Sequence, residues 1–236
     1  MKRARRVALL TTALVLAFAG GVLATQRLAP GWDFGKIPPR QASPPARPDQ
    51  AIHNLDVALP DPVIANGVSV GEKAELYFTS GIGPAAFNTT PPMGSPERFI
   101  DPAHFPGGVL TAGVTITEAQ AMNALARIQD NLATVGLTMR DVITLRVFLD
   151  NAPGAPAMDV NGFNRAYRQF FANVNLHTGA TLLQPRGTGT PAAPLVVNPV
   201  RPSRTVVEVA SLPIPPWLVE VEAVAKRPSG RHRNDD

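Results

Sequence analysis

Residues 202–213 read PSRTVVEVASLP, and residues 218–225 read LVEVEAVA. β-Branched runs with period-2 alternation form strands. Two strands are therefore expected here, the first of the kind that is buried, joined through SLPIPPW (211–217) as an antiparallel hairpin. An arginine stands at the entrance of the first. A guanidinium keeps its charge at any ordinary pH and is almost never fully buried without a partner. Alternation puts Arg204, Val206, Glu208 and Ala210 on one face, and Leu218, Glu220, Glu222 and Val224 on one face of the partner strand. Arg204 then has two possible roles: a cross-strand ion pair with Glu208 or Glu220 at a half-exposed edge, or a contact with an acidic ligand in a polar pocket.

Outward from this pair, TEAQAMNALARIQDNLATVG (117–136) is the clearest helix. Thr117 with Gln120 reads as a capping box, Met122, Leu125, Ile128, Leu132 and Val135 recur at helical spacing, and Gly136 supplies the stop. DVITLRVFLD (141–150) is a strand. VNGFNRAYRQFF (160–171) is a second helix whose apolar stripe is Val160, Phe163, Tyr167, Phe170 and Phe171. Before them, GVSV (67–70) and AELYFTSG (74–81) are expected to form a hairpin across Gly71 and Glu72. Residues 82–116 and 172–201 carry no sustained period and read as long loops, longer than a compact domain keeps without a purpose. Hairpin, helix, strand, helix, hairpin describes an α+β layer with helices covering one side of a sheet.

The chain has 236 residues, no cysteine and a sequence pI near 10. Disulfides are thereby excluded. The basic balance belongs to the ends: between positions 55 and 225 there are 10 Lys and Arg against 14 Asp and Glu, a net charge of −4. A nucleic-acid surface needs a clustered basic patch, and this body has none. Its histidines, His53, His104 and His177, share no ligand spacing with carboxylates, so neither a metal nor a cofactor is expected. Phosphate-loop and nucleotide-binding motifs are missing, and Ser80 in TSGIG lacks the glycine pattern of a nucleophile elbow.

At the N-terminus, MKRARR precedes the apolar VALLTTALVLAFAGGVLA, which closes on Val22, Leu23 and Ala24. Basic, apolar, then small is the order of a secretory signal, and the paired Arg5 and Arg6 touch on twin-arginine export. The expected organisation is a signal peptide over 1–24 and a Pro-rich linker over 25–54, then one domain over 55–226 and a polar tail over 227–236. The location would be periplasmic or secreted. An uncleaved segment would instead anchor the chain in a membrane.

YFTSG, NALARIQDNLATVG, DVITLRVFL, FNRAYRQFF, SRTVVEVA and LVEVEA occur here in the order and nearly the spacing of the RidA/YjgF family, the enamine and imine deaminases. The resemblance runs over about 68–226. It implies a chorismate-mutase-like fold of six strands and two helices, assembled as a homotrimer with pockets between subunits. It also implies a cofactor-free hydrolysis of 2-imino or enamine acids to 2-keto acids and ammonia. Residue by residue, it gives Arg204 the grip on a substrate carboxylate, Glu220 a place beside the attacking water, and Ser80, Gly81 and Asn164 places at the pocket. Read without the family, Ser80 and Gly81 only make a turn and Asn164 only ties a neighbouring loop.

Family members that are active usually carry an aromatic in a GPY segment. The corresponding IANGVSVG (64–71) has none, which leaves Tyr77, Phe87 and Phe99 as replacements. A trimer that binds small carboxylates without turnover is the alternative function. A ribonuclease is disfavoured by the charge of the body and the lack of a histidine pair.

Overall fold

The computed structural model describes residues 45–229. The expected signal segment 1–24, most of the linker and the end of the tail lie outside the described residues. Six strands form the domain's sheet: β1 (Ala51–Leu55), β2 (Ala65–Val70), β3 (Leu76–Phe78), β4 (Val142–Leu149), β5 (Ser203–Glu208) and β6 (Val219–Lys226). Their spatial order is β1-β2-β5-β4-β6-β3. Helices α1 (Ile116–Thr134) and α2 (Val160–Arg168) lie on one face. The α+β layer is as expected, and among the described residues no helix is long and apolar enough to cross a membrane.

Alternation along β4 sets the two faces. Leu145, Val147 and Leu149 are buried with Val219, Val221 and Ala223 of β6 against Met122, Leu125, Ile128 and Leu132 of α1 and Phe163 and Tyr167 of α2. The alternate residues, Arg146 and Phe148, point to the other face, where Arg146 pairs with Glu222. That face carries exposed apolar side chains, Phe78 at 61 % and Val207 at 38 %. β5, expected to be buried, is therefore only half covered: Arg204 and Val206 are partly buried while Thr205 and Val207 are exposed.

Strand pairing departs from the sequence reading in both hairpins. β5 and β6 do not touch as neighbours, because β4 lies between them, parallel to β5 and antiparallel to β6. Residues 209–217 are long enough to step over a strand. Their far end is pinned to α1 by Gln120, whose side chain donates to the Pro216 carbonyl and accepts from the Leu218 N–H. A parallel pair requires a crossover, and α2 with loop 172–201 supplies it.

β2 pairs with β1 and β3 with β6, at opposite sides of the sheet. β1 lies in the stretch expected to be linker, so the sheet begins at Ala51 rather than after residue 54. Gly71 does not reverse the chain into β3. It packs against the Arg47 and Pro48 carbonyls, where a Cβ would overlap the backbone, and its N–H donates to Gln50. At the far end, Arg227 donates to Glu75 and to the Val135 carbonyl, so the start of the expected tail is tied to the domain.

The helix cap also shifts. Thr115, not Thr117, accepts the Glu118 N–H, and the hydroxyl of Thr115 donates to Asp159 at 2.5 Å. Thr117, Glu118, Gln120 and Asn123 are polar yet fully buried, because both long loops lie on this half of α1. Asn123 receives the Ala85 N–H and donates to the Ala85 and Phe99 carbonyls. Glu118 accepts from Gly187 at 2.9 Å and from Arg165 at 2.7 Å. Each loop is thus held by α1 side chains. They meet where Thr188 donates to the Ala112 carbonyl.

Candidate functional site

Arg204 stands opposite Leu145 on β4, which places it on the helix side of the sheet. Its guanidinium lies 4.6 Å from the Tyr167 ring centre and 5.5 Å from that of Phe163, two aromatic residues one turn apart on α2. Nη2 donates to the Asn164 side-chain oxygen at 2.7 Å. Nη1 is buried with no hydrogen-bond partner. Burial pulls the guanidinium below its ordinary value and Tyr167 acts in the opposite sense. The Tyr167 hydroxyl donates to the Val63 carbonyl at 2.8 Å, and burial pushes it well above the phenol range, so it stays neutral.

These groups open on a cleft of about 470 Å³. One wall is a face of α2 carrying Asn161, Asn164, Arg165 and Arg168, at the i, i+3, i+4, i+7 spacing of one helical stripe. Gln184 and Pro185, from loop 172–201, form another. Arg168 donates to Gln184 at 3.2 Å, and burial lowers its guanidinium, with Asp61 opposing. Among the described residues no carboxylate pairs with Arg204 or Arg168. The cross-strand ion pair is therefore not formed. Glu208 accepts instead from Asn151 and from the Met158 N–H.

Glu220 is elsewhere. It stands opposite Phe148, three residues along β4 from Leu145, and so faces the open side of the sheet. Its carboxylate covers Gly81 so closely that a Cβ there would overlap it. Burial raises the Glu220 carboxyl above its ordinary value, and the like charge of Glu222 adds to this. Ser80, next to Gly81, is exposed. The five candidate residues thus divide into two groups: Arg204 with Asn164 on the helix side, and Gly81 with Glu220, flanked by Ser80, on the open side.

None of the three substitute aromatics lines the cleft. Tyr77 donates to Asn131, Phe99 is buried edge-on to Trp217, and Phe87 is 54 % exposed. Tyr167 supplies the aromatic surface, although its place in the apolar stripe of α2 marks it as core. Arg165, Arg168 and Gln184 are also new. The signal for the first two was present, since they share a helical face with Asn164. Among the described residues no group of three His, Asp or Glu side chains could hold a metal.

A family model described as endoribonuclease L-PSP matches residues 107–227, just over half of the chain. The chain belongs to this family, known also as RidA/YjgF. Solved structures of the YjgF group are similar to it. The YjgF gene product of E. coli is 21 % identical, with 79 % of this chain and 100 % of that one covered, at a TM-score of 0.37. A YjgF/YER057c/UK114 member from Mycobacterium tuberculosis is 20 % identical, over 69 % and 86 % of the chains, also at 0.37. E. coli TdcF with bound serine is 24 % identical, over 70 % and 88 %, at 0.37. No curated protein matches. Within the L-PSP match fall Asn164, Arg204 and Glu220; Ser80 and Gly81 precede it.

Proposed function

We propose that this L-PSP family protein hydrolyses 2-imino acids and their enamine tautomers to 2-oxo acids and ammonia. One observation carries the reading: the buried, unpartnered Nη1 of Arg204 at a cleft of small-molecule size. A planar guanidinium fork fits a carboxylate in two-point contact. Asn164 and the rings of Phe163 and Tyr167 hold that fork in place. Water then adds to the C=N carbon, its proton passes to the nitrogen, and the carbinolamine collapses with loss of ammonia. Imines of this kind already react with water, so orientation and charge placement supply the acceleration needed.

In this reading Glu220 takes the proton from the attacking water, and burial with the like charge of Glu222, by raising its carboxyl above the ordinary value, makes it a stronger base for that step. Because Glu220 faces the open side of its own sheet, it would reach the Arg204 cleft of a neighbouring copy. The proposal therefore includes a homotrimer, supported by the exposed Phe78 and Val207 on that open face. It also places the protein outside the cytoplasm, on the strength of residues 1–24. The histidines suit an endoribonuclease poorly: His53 and His177 are each bonded to a backbone carbonyl, of Arg201 and Pro60.

A binding protein without turnover is the second reading, favoured by the separation of Arg204 from Glu220 within one protomer. The deciding experiment forms 2-iminopropanoate in place with an amino-acid oxidase and follows its decay. Faster decay with the protein, lost in Arg204→Ala, supports hydrolysis. Retained binding of 2-oxo acids with no acceleration across several imino acids supports the binder.

A further inference from the structure

We infer that the cleft selects 2-imino acids whose side chain ends in a second acidic group, with Arg168 receiving that group. The inference rests on Arg204 as the clamp for the first carboxylate. Arg168 lies one helical turn beyond Asn164, the residue that holds Arg204, so the two guanidiniums are served from positions about 6 Å apart along α2. Both line the same cleft, and among the described residues neither forms an ion pair, Asp61 acting on Arg168 only from beyond ion-pair distance. The third arginine there, Arg165, differs: buried Glu118 offsets its charge at 2.7 Å. The neighbouring Arg201 differs too, since Asp61 pairs with it at 2.5 Å. Two guanidiniums without an ion pair in one partly desolvated cleft are matched by two anionic groups on one small ligand.

Arg168 is also oriented. Its Nε donates to the Gln184 oxygen at 3.2 Å, and the Gln184 amide donates to the Leu182 carbonyl at 3.0 Å. Gln169 fastens the same loop to α2 by donating to the Pro185 carbonyl. Loop 172–201, which carries Gln184, thus aims the second cation into the cleft. A ligand ending in a methyl group would leave Arg168 facing water, whereas a terminal carboxylate or phosphonate would gain a charge-assisted hydrogen bond.

The test is calorimetric titration of the full chain with 2-oxopentanoate and 2-oxoglutarate, equal in chain length and different only at the far end. A phosphonate-ended 2-oxo acid is the third ligand. The doubly acidic ligands are expected to bind about tenfold to a hundredfold more tightly. In Arg168→Gln the ratio of the two affinities should fall towards one, while Arg168→Lys, which keeps the charge, should retain part of it. Whichever of carboxylate and phosphonate binds better identifies the second group. Equal affinities in the unaltered protein, or a ratio that survives Arg168→Gln, overturn the inference and leave the Arg204 clamp intact. Failure of every 2-oxo acid to bind the folded protein overturns the clamp, and this inference with it.

Discussion

Arg204 and Glu220 leave the same sheet on opposite faces, Arg204 across from Leu145 and Glu220 across from Phe148. No rotamer change brings them together within one protomer, since β4 lies between their strands and its buried side packs against both helices. If hydrolysis uses both, each working site is built from two copies. Unfolding and refolding a mixture of Arg204→Ala and Glu220→Ala, each inactive alone, should then recover a fraction of the imine hydrolysis, because some interfaces join an intact Arg204 to an intact Glu220. Recovery is read from the same decay assay. A mixture as inactive as its components would contradict a shared site.

Glu220 and Glu222 supply a pH prediction. Burial first, and then the Glu222 charge, raise the Glu220 carboxyl above the ordinary carboxylate range. A base is active when ionised, so the acid limb of kcat/KM should lie above that range. Glu222→Gln, which removes the like charge, should move the limb towards lower pH. Stability follows the raised folded-state value: protonated Glu220 is favoured by folding, so its contribution is complete below the unfolded value and lost as pH rises through the folded one. The unaltered protein should therefore lose stability relative to Glu220→Gln, the neutral isostere of the protonated acid, as pH rises. Melting curves across the window check this; an unaltered protein that gains stability relative to Glu220→Gln as pH rises would reverse the assignment.

Arg201, three residues before Arg204, has the opposite fate. It is 2 % exposed and donates to the Pro62, Pro199 and Val174 carbonyls as well as to Asp61. All three nitrogens of its guanidinium donate within its own chain, so its role is to join the segment before β2 to loop 172–201. Arg201→Met should cost about 3–5 kcal/mol, because a buried partner set is left unsatisfied, and lower Tm by roughly 10 °C. The protein that remains folded should still bind 2-oxo acids. Unchanged melting, or loss of binding without loss of stability, would contradict this division between the two arginines.

These residues also show where sequence reading stops. Period 3.6 in 117–136 and period 2 in β4, β5 and β6 identify elements and their buried faces, since both depend on local spacing. Periodicity says nothing of neighbours, so β4 could not be placed between β5 and β6, and β1 was hidden by the prolines around it. Arg204 and Asn164 were legible through the family resemblance, and their contact at 2.7 Å joins two of its positions. Tyr167 reads as core in the sequence because an apolar stripe and a ring supporting a guanidinium have the same spacing. Gln184 lies in a loop without period, and only the tertiary ties of that loop bring it to Arg168.

The most direct measurement is a crystal structure of the protein with 2-oxobutanoate bound. The ligand carboxylate should lie within hydrogen-bond distance of Arg204 Nη1, in the cleft walled by Asn164 and Tyr167, with Glu220 of an adjoining copy near its carbonyl carbon. Density for the ligand away from Arg204, or an Arg204 fork already occupied by a carboxylate of the protein, would contradict the proposed chemistry.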